Sequence, residues 1–138
     1  MPFSGGDIIE ITYNHATLGS GTLFCKSAED ATLSKGGVRN VDDDNNITGN
    51  RQLILVKNIM QGFFQSPPIA WDMTDQEEDE KLNKLAESLI LANWTISIIN
   101  GVSYGAKGTV VGDIIGNTNT GLIESIKLAF EGEVKKLS

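Results

Sequence analysis

The chain has 138 residues, of which 40% are hydrophobic, enough for one folded domain and too many for a disordered chain. Its net charge of -7 repels a phosphate backbone, which argues against a dedicated nucleic-acid-binding protein. The single cysteine, Cys25, excludes an intrachain disulfide, and its apolar neighbours favour a small buried side chain over a reactive thiol. The sequence predicts neither a signal peptide nor a membrane-spanning helix.

The first third of the chain predicts two strands and a long polar segment. Residues 7–13 alternate, with Ile9 and Ile11 on one face, which indicates a half-buried strand. A turn is expected at 19–21 and a second strand at 22–27. Residues 34–51 are polar and glycine-rich, and they predict an extended loop or a protruding hairpin.

The middle of the chain predicts a further strand and the only helix. The apolar run 53–56 indicates a strand that is buried on both faces or lies at an interface, and the prolines limit 67–71 to a sheet edge or a bend. A helix is expected over about 75–91, with Thr74 and Glu77 forming a capping box. Its apolar stripe consists of Leu82, Leu85, Ala86 and Leu89.

The last third predicts antiparallel strands. Trp94, Ile96 and Ile98 alternate with polar residues, which indicates a strand. Asn100-Gly101 indicates a type I′ hairpin turn, and the glycines of 105–108 are expected to break or bend the returning strand. A turn at 117–121, a strand over 122–130 and a polar tail follow. The predicted fold is α+β and mainly β: a single domain, 1–138, built as an antiparallel sandwich or small barrel with one flanking helix.

Residues able to support catalysis are few. His15 is the only imidazole and stands in no triad motif, so a surface or structural role is expected. Asp42, Asp44 and Asn46 resemble the first ligands of a calcium loop, but isoleucine and leucine occupy the positions that require glycine and glutamate. A cation site in this loop with a less regular set of ligands remains an alternative. The acidic run 75–80 suits a helix N-terminus better than a pair of catalytic carboxylates. We therefore expect no enzyme and no cofactor.

Several segments resemble a known family. They are Gly36-Gly37-Val38-Arg39 through the Asp-rich turn to Thr48-Gly49, Asn58 to Phe64 with Gly62-Phe63-Phe64, Gly105 to Gly108, Val111-Gly112-Asp113-Ile114, and Leu128 to Leu137. With the order strands, helix, strands, they resemble the tail tube proteins of contractile-tailed bacteriophages over most of the chain. Type VI secretion tubes and bacteriocin tubes share this fold.

The resemblance implies a structural subunit. Hexameric rings, with their sheets joined into an inner barrel, would stack into a tube through which DNA passes without specific binding. The partners would be other copies of the chain and the tail sheath, baseplate and terminator proteins, in a virion tail assembled in the host cytoplasm. The family's lumen is often acidic, and the net charge of -7 agrees.

In that family a long loop reaches the adjacent ring, and residues 34–51 match it by position. The implied contact residues are Gly36, Gly37, Arg39, Asp42, Asp43, Asp44, Asn46, Asn50 and Arg51. Two alternatives remain: a monomeric β-sandwich module that binds a glycan or a cation through this loop, and another ring protein of the tube fold, such as a terminator or baseplate component.

Overall fold

An antiparallel sheet organises the chain, as shown by the computed structural model, which describes residues 2–40 and 44–137. The strands before the helix are β1 Ile8–His15, β2 Gly19–Phe24, β3 Thr32–Ser34, β4 Gly37–Asn40, β5 Lys57–Met60, β6 Phe63–Gln65 and β7 Ile69–Ala70. The helix α1, Glu78–Glu87, precedes β8 Ala92–Ile98, β9 Ser103–Val111, β10 Gly116–Asn117, β11 Leu122–Ile123, β12 Lys127–Phe130 and β13 Lys135–Lys136. The mainly β, antiparallel fold with one helix is confirmed for the described residues.

Among the described residues, the main sheet has eight strands. Its order is β2-β1-β8-β9-β12-β6-β3, and β13 also pairs with β9. A smaller sheet has the order β10-β11-β7, and β4 and β5 form a separate two-stranded ribbon. A single bridge between Cys25 and Ile69 connects the end of β2 to β7. The result is an open barrel rather than a closed one.

The inward face of the main sheet holds the hydrophobic core. Trp94 is 1% exposed, and its indole N–H donates a hydrogen bond of 3.0 Å to the Gly108 carbonyl. The helix packs against β9 and adds Leu82 and Leu85 to the same cluster. Each such side chain stabilises the fold by about 1.5–3 kcal/mol through burial.

The first strand does not alternate regularly. Its pairing with β8 shifts between Ile8 and Glu10, so Ile8 and Ile11 are buried while Ile9 is 46% exposed. A β-bulge of this kind inserts one residue and reverses the alternation that follows it. The prediction that Ile9 and Ile11 share one face is therefore wrong.

Two turns differ from the expected ones. The first hairpin turns at residues 16–18, and Gly19 already pairs with His15 at the start of β2, so the turn predicted at 19–21 is wrong. At Asn100-Gly101 the predicted hairpin is present, but Gly101 alone has a positive φ, of 90°. The Gly101 amide donates to the Ile98 carbonyl, which is the pattern of a longer loop with a left-handed glycine rather than a type I′ turn.

The glycines of 105–108 do not break the returning strand, because β9 runs through them. A Cβ on Gly108 would lie 2.2 Å from the Ala129 carbonyl oxygen, and one on Gly105 would lie 2.7 Å from Leu137 Cδ1. Glycine is used here to let neighbouring chain segments approach closely. The strand expected over 122–130 is instead divided into β11 and β12.

The expected polar tail is also folded, since β13 pairs with β9 and Val134 is 1% exposed.

The interruption between β11 and β12 is stabilised by Ser66, which is buried. The Ser66 hydroxyl accepts a hydrogen bond from the Ile126 amide at 3.0 Å, and the Ser66 amide donates to the Ile126 carbonyl. The segment 67–71, expected at an edge or a bend, contains the short strand β7.

The helix is shorter than predicted and begins differently. Its N-cap residue is Glu77, with φ 49° and no capping side chain, so the capping box with Thr74 is wrong. Asp72 instead accepts hydrogen bonds from the Thr74 hydroxyl and amide, which hold the pKa of the Asp72 carboxyl below its usual range. At the other end Leu89 lies outside the helix and is fully exposed, because Ser88 adopts an extended conformation.

Candidate assembly interface

A two-stranded ribbon projects from the body where the sequence predicts a loop or a protruding hairpin. We call residues 36–61 the arm. Its stem pairs β4 with β5, from Gly37 opposite Met60 to Asn40 opposite Lys57. Further out Ile47 pairs with Leu53, and the chain turns at residues 48–51. The hairpin form of the prediction is confirmed.

Glycines fix the base of the arm. Gly36 has a φ of 71°, and a Cβ there would lie 2.5 Å from the Gly62 amide nitrogen. The Gly62 amide donates to the Gly132 carbonyl at 3.0 Å, and the Phe130 amide donates to the Gly62 carbonyl. Because only glycine fits a left-handed position this close to another backbone, the exit of the arm from the body is tightly constrained.

The arm exposes large apolar side chains. Every residue from 44 to 61 is exposed except the half-buried Asn46. Ile59 is 85% exposed, Leu53 66% and Leu55 61%. The exposed apolar residues of the arm are Val38, Ile47, Leu53, Ile54, Leu55, Val56, Ile59 and Met60. Apolar patches of this kind mark interaction surfaces in soluble proteins.

The exposure of residues 53–56 overturns one of the two interpretations of this run, a strand buried on both faces or a strand at an interface. Burial on both faces within the chain is wrong, because all four side chains are exposed. The strand expected at the run 53–56 is absent apart from the bridge at Leu53, and β5 begins only at Lys57. The second reading, a strand at an interface, stays a prediction.

The contact residues expected from sequence lie along this arm. Gly36 is buried at the base and Gly37 and Arg39 belong to β4, whereas Asp44 lies further out. Asn46, Asn50 and Arg51 lie at the tip of the arm, and Asp42 and Asp43 lie outside the described residues. Sequence reasoning missed Val38, which lies within the polar segment, and Ile59 and Met60, which pair with β4 across the stem.

Hydrogen bonds order the tip of the arm. Asn46 pairs with Ile54 through both its backbone carbonyl, at 2.9 Å, and its side-chain amide, at 2.7 Å. The Asn50 side chain accepts a hydrogen bond from the Thr48 hydroxyl, and Arg51 adopts a left-handed φ of 68°. The tip is thus a defined turn, held by hydrogen bonds of the Asn46, Thr48 and Asn50 side chains, and its apolar side chains are exposed.

Two strand edges of the main sheet are also available. In the order of the sheet, β2 and β3 are the terminal strands. Beyond the bridge at Cys25, the described residues add no further strand to β2, and none is added to the outer edge of β3. Unpaired edges of this kind can extend a sheet into a second copy of the same chain.

A cavity of about 500 Å³ opens at the end of the barrel near the N-terminal segment. Ile8, Phe64 and Ile96 form its apolar inner wall, and Glu29 and Lys136 lie at its rim. Its lining contains neither the histidine nor the cysteine of the chain. The cavity can therefore accept an apolar group, but it holds no nucleophile with a histidine base.

His15 is a buried, structural residue, which is one of the two roles, surface or structural, expected from the sequence. Its ring is 2% exposed, and Nδ1 accepts hydrogen bonds of 3.0 Å from the amides of Thr17 and Leu18. The ring proton therefore lies on Nε2, which donates to the Ser88 hydroxyl and the Ile90 carbonyl. Neither nitrogen is left to act as a general base.

Cys25 is half-buried, and burial raises the pKa of its thiol to about 12. Its amide pairs with Ile9, at the opposite end of β1 from His15. Six residues of extended chain separate the two positions by about 20 Å, so the thiol and the imidazole cannot act together.

Residues 2–40 and 44–137 contain no group of three or more histidine, cysteine, aspartate or glutamate side chains placed to hold a metal ion. Over the same residues, α1 is too short and too polar to cross a membrane.

No protein-family model matches the chain. A search of curated proteins finds no match either. The arm and the free edges of β2 and β3 are therefore the features of the molecule that bear most on its function.

Proposed function

We propose that the protein is a structural subunit that assembles into stacked, hexameric rings and forms the inner tube of a phage tail. Other copies of the chain are its main partners, and sheath, baseplate and terminator proteins contact the finished tube. DNA passes through the lumen without specific binding. The proposal joins the family resemblance of the sequence to surfaces of the folded chain that suit self-assembly.

The exposed apolar arm is the observation that carries the proposal. An arm that buried its apolar side chains against its own body would need no partner, but Leu53, Leu55 and Ile59 remain largely exposed. Burial of about 25 cal/mol per Å² of apolar surface favours contact with a second protein. A neighbouring copy satisfies this need, and the free edges of β2 and β3 offer a separate route to pairing within a ring.

Negative-stain electron microscopy combined with light scattering tests the proposal directly. We expect purified protein to form rings or tubes with a central channel in a concentration-dependent way. Deleting residues 42–46 should impair stacking while leaving the fold intact, as judged by circular dichroism. A deletion of residues 118–119, in the exposed turn between β10 and β11, is the control, and we expect it to leave stacking unchanged. Equal tube yield from all three proteins would contradict the role of the arm.

A second candidate is the monomeric binding module, and the cavity of about 500 Å³ is the observation that favours it. In that case the protein stays monomeric at high concentration, and a ligand raises its melting temperature. A thermal-shift panel of glycans, calcium and small apolar compounds separates the two candidates. Monomers together with a clear shift would favour the module, whereas rings without any shift would favour the tube subunit.

A further inference from the structure

We call the side of the main sheet opposite the core its open face. On β2, β1 and β8 its side chains form regular rows, whereas on β9 the Thr109 hydroxyl of this face donates a hydrogen bond to the Leu85 carbonyl near the end of α1. Strand pairing places Thr12 beside Thr22 of β2 on one side and beside Thr95 of β8 on the other. In the next row Asn14 lies between Ser20 and Asn93. Hydroxyl and amide groups therefore occupy the centre of this open face.

The rows continue onto β9 and remain mostly uncharged. Glu10 lies between Phe24 and Ser97, and Ser97 pairs with Ser103. Lys107 extends the row of Asn14, since it pairs with Asn93. Alternation with the buried face of the sheet directs these side chains outwards.

The charge of the open face differs from that of the chain. Its strands carry one outward carboxylate, Glu10, and the outward lysines Lys107, Lys127 and Lys135. Adding Glu131 and Glu133 of the adjoining β12–β13 link gives three negative and three positive charges, a net charge of zero. The whole chain has a net charge of -7, so its excess of carboxylates lies elsewhere.

Much of that negative charge lies on the other side of the sheet, at the helix. This segment carries two lysines, Lys81 and Lys84, and seven carboxylates, which gives it a net charge of -5. The carboxylates are Asp72, Asp75, Glu77, Glu78, Asp79, Glu80 and Glu87. Since α1 packs against the sheet through Leu82 and Leu85, it lies on the covered side. The fold therefore separates an acidic helical side from a neutral open face.

A ring made by joining strand edges must place one side of the sheet inwards. The helix, the small sheet and the core occupy the covered side, and they need more room around the circumference than a bare sheet does. The bulky side therefore fits the outer wall, and the open face fits the channel. A polyanion in such a channel meets hydroxyl and amide groups, which neither repel it strongly nor retain it.

We infer, on the basis of the proposed tube function, that the open face lines the channel and presents a neutral hydroxyl and amide wall to a passing nucleic acid. This differs from the acidic lumen expected from the family resemblance and the net charge. Transport in this tube then depends on weak, water-mediated contacts rather than on charge repulsion from carboxylates on the wall.

Site-directed thiol labelling of assembled tubes tests both parts of the inference. Asn14→Cys places a thiol on the open face, and Asn83→Cys places the matched control on the exposed side of α1, both in a Cys25→Ala background. Each labelled subunit is co-assembled with an excess of Cys25→Ala subunit, so a variant that assembles poorly alone still enters tubes. The probes are a bulky polyethylene glycol maleimide and small methanethiosulfonates of opposite charge.

We expect tubes to block the bulky reagent at the Asn14→Cys thiol but not at the Asn83→Cys thiol. At low salt the anionic reagent should react with the Asn14→Cys thiol at least as fast as the cationic one, a rate ratio of about one or higher. The acidic surroundings of the Asn83→Cys thiol should favour the cationic reagent.

Two results would overturn the inference while leaving the tube intact. One is free access of the bulky reagent to the Asn14→Cys thiol in tubes, which would put the open face outside. The other is a clear preference of that thiol for the cationic reagent, which would show an acidic wall. If the Cys25→Ala and wild-type proteins form neither rings nor tubes, the proposed function fails and the inference fails with it.

Discussion

His15 joins two parts of the molecule that are far apart in the sequence. Its Nδ1 accepts hydrogen bonds from two amides of the first hairpin turn, and its Nε2 donates to the segment that follows α1. We predict that His15→Phe lowers the free energy of unfolding by about 2–4 kcal/mol, because it removes every one of these hydrogen bonds from a buried site. Urea denaturation followed by tryptophan fluorescence measures the change.

Asn14→Ala is the control for this prediction, since Asn14 is the exposed neighbour of His15 on the same strand. A surface change of that kind should cost about 0.5 kcal/mol or less. If the two variants were equally stable, His15 would not link the hairpin to the helix segment in solution.

The thiol of Cys25 should react slowly in the native protein. Burial raises its pKa from 9.0 to about 12, and only the thiolate is nucleophilic. A shift of about three pKa units lowers the thiolate fraction at pH 8 by about a thousandfold. Labelling with iodoacetamide, measured by mass spectrometry, should be slow in buffer and fast in urea. Equal rates in the two solutions would contradict the burial of this thiol.

The same shift of the pKa of Cys25 has a consequence for stability. The folded protein holds the thiol in its neutral form, so the stabilisation from this group is complete below pH 9 and is lost as the pH rises towards about 12. Cys25→Ala lacks the titrating group. We therefore expect the stability of the native protein to fall more steeply than that of Cys25→Ala between these pH values, in urea titrations at each pH.

At the scale of the elements, the start of α1 is strained. Glu77 adopts a left-handed conformation, with φ 49° and ψ 51°, which costs a residue with a Cβ roughly 1 kcal/mol. We predict that Glu77→Gly raises the free energy of unfolding by about 0.5–1 kcal/mol, because glycine adopts this conformation without the penalty. Thermal denaturation followed by circular dichroism measures the effect.

Glu80→Gly provides a control with the same chemistry and the opposite expected sign. Glu80 is exposed within the helix, where glycine costs about 1 kcal/mol. If both variants were destabilised to the same extent, the charge of the glutamate rather than the backbone conformation would govern the start of the helix.

Sequence patterns predicted most elements of this fold and failed where a distant contact decides the local geometry. The strand at Trp94 and Ile96 and the helical pair Leu82 and Leu85 lie where their spacing indicates. The bulge at Ile9 is different, because its register is set by pairing with β8, more than 80 residues away in the chain. The capping box failed for a related reason: Asp72, outside the expected motif, takes the hydrogen bonds of the Thr74 amide and hydroxyl.

At the scale of the whole molecule, the arm shows the limit of reading burial from a single chain. The run 53–56 has the composition of a buried strand, yet the chain itself does not cover it. An apolar strand has the same sequence whether its own core or a partner covers it. The position of the arm was predictable from its polar tip and glycines, whereas the exposure of its stem follows only from the folded body.

The last prediction separates folding from assembly. Leu55→Ser with Ile59→Ser removes apolar side chains that are 61% and 85% exposed in the folded chain. We expect the free energy of unfolding of the monomer to change by about 1 kcal/mol or less, because these side chains lose little burial. Light scattering should nevertheless show the loss of rings and tubes, since the change removes much of the apolar surface available to a neighbouring copy.

A buried isoleucine provides the comparison. Ile69 is the first residue of β7 and is 0% exposed, and Ile69→Ser should lower the free energy of unfolding by about 3–5 kcal/mol, because it combines a cavity with a buried hydroxyl. Urea titrations at a concentration where the wild type is monomeric allow a direct comparison. If the arm variant lost as much stability as Ile69→Ser, the arm would pack against its own body in solution, and its apolar stem would no longer be available to a second copy.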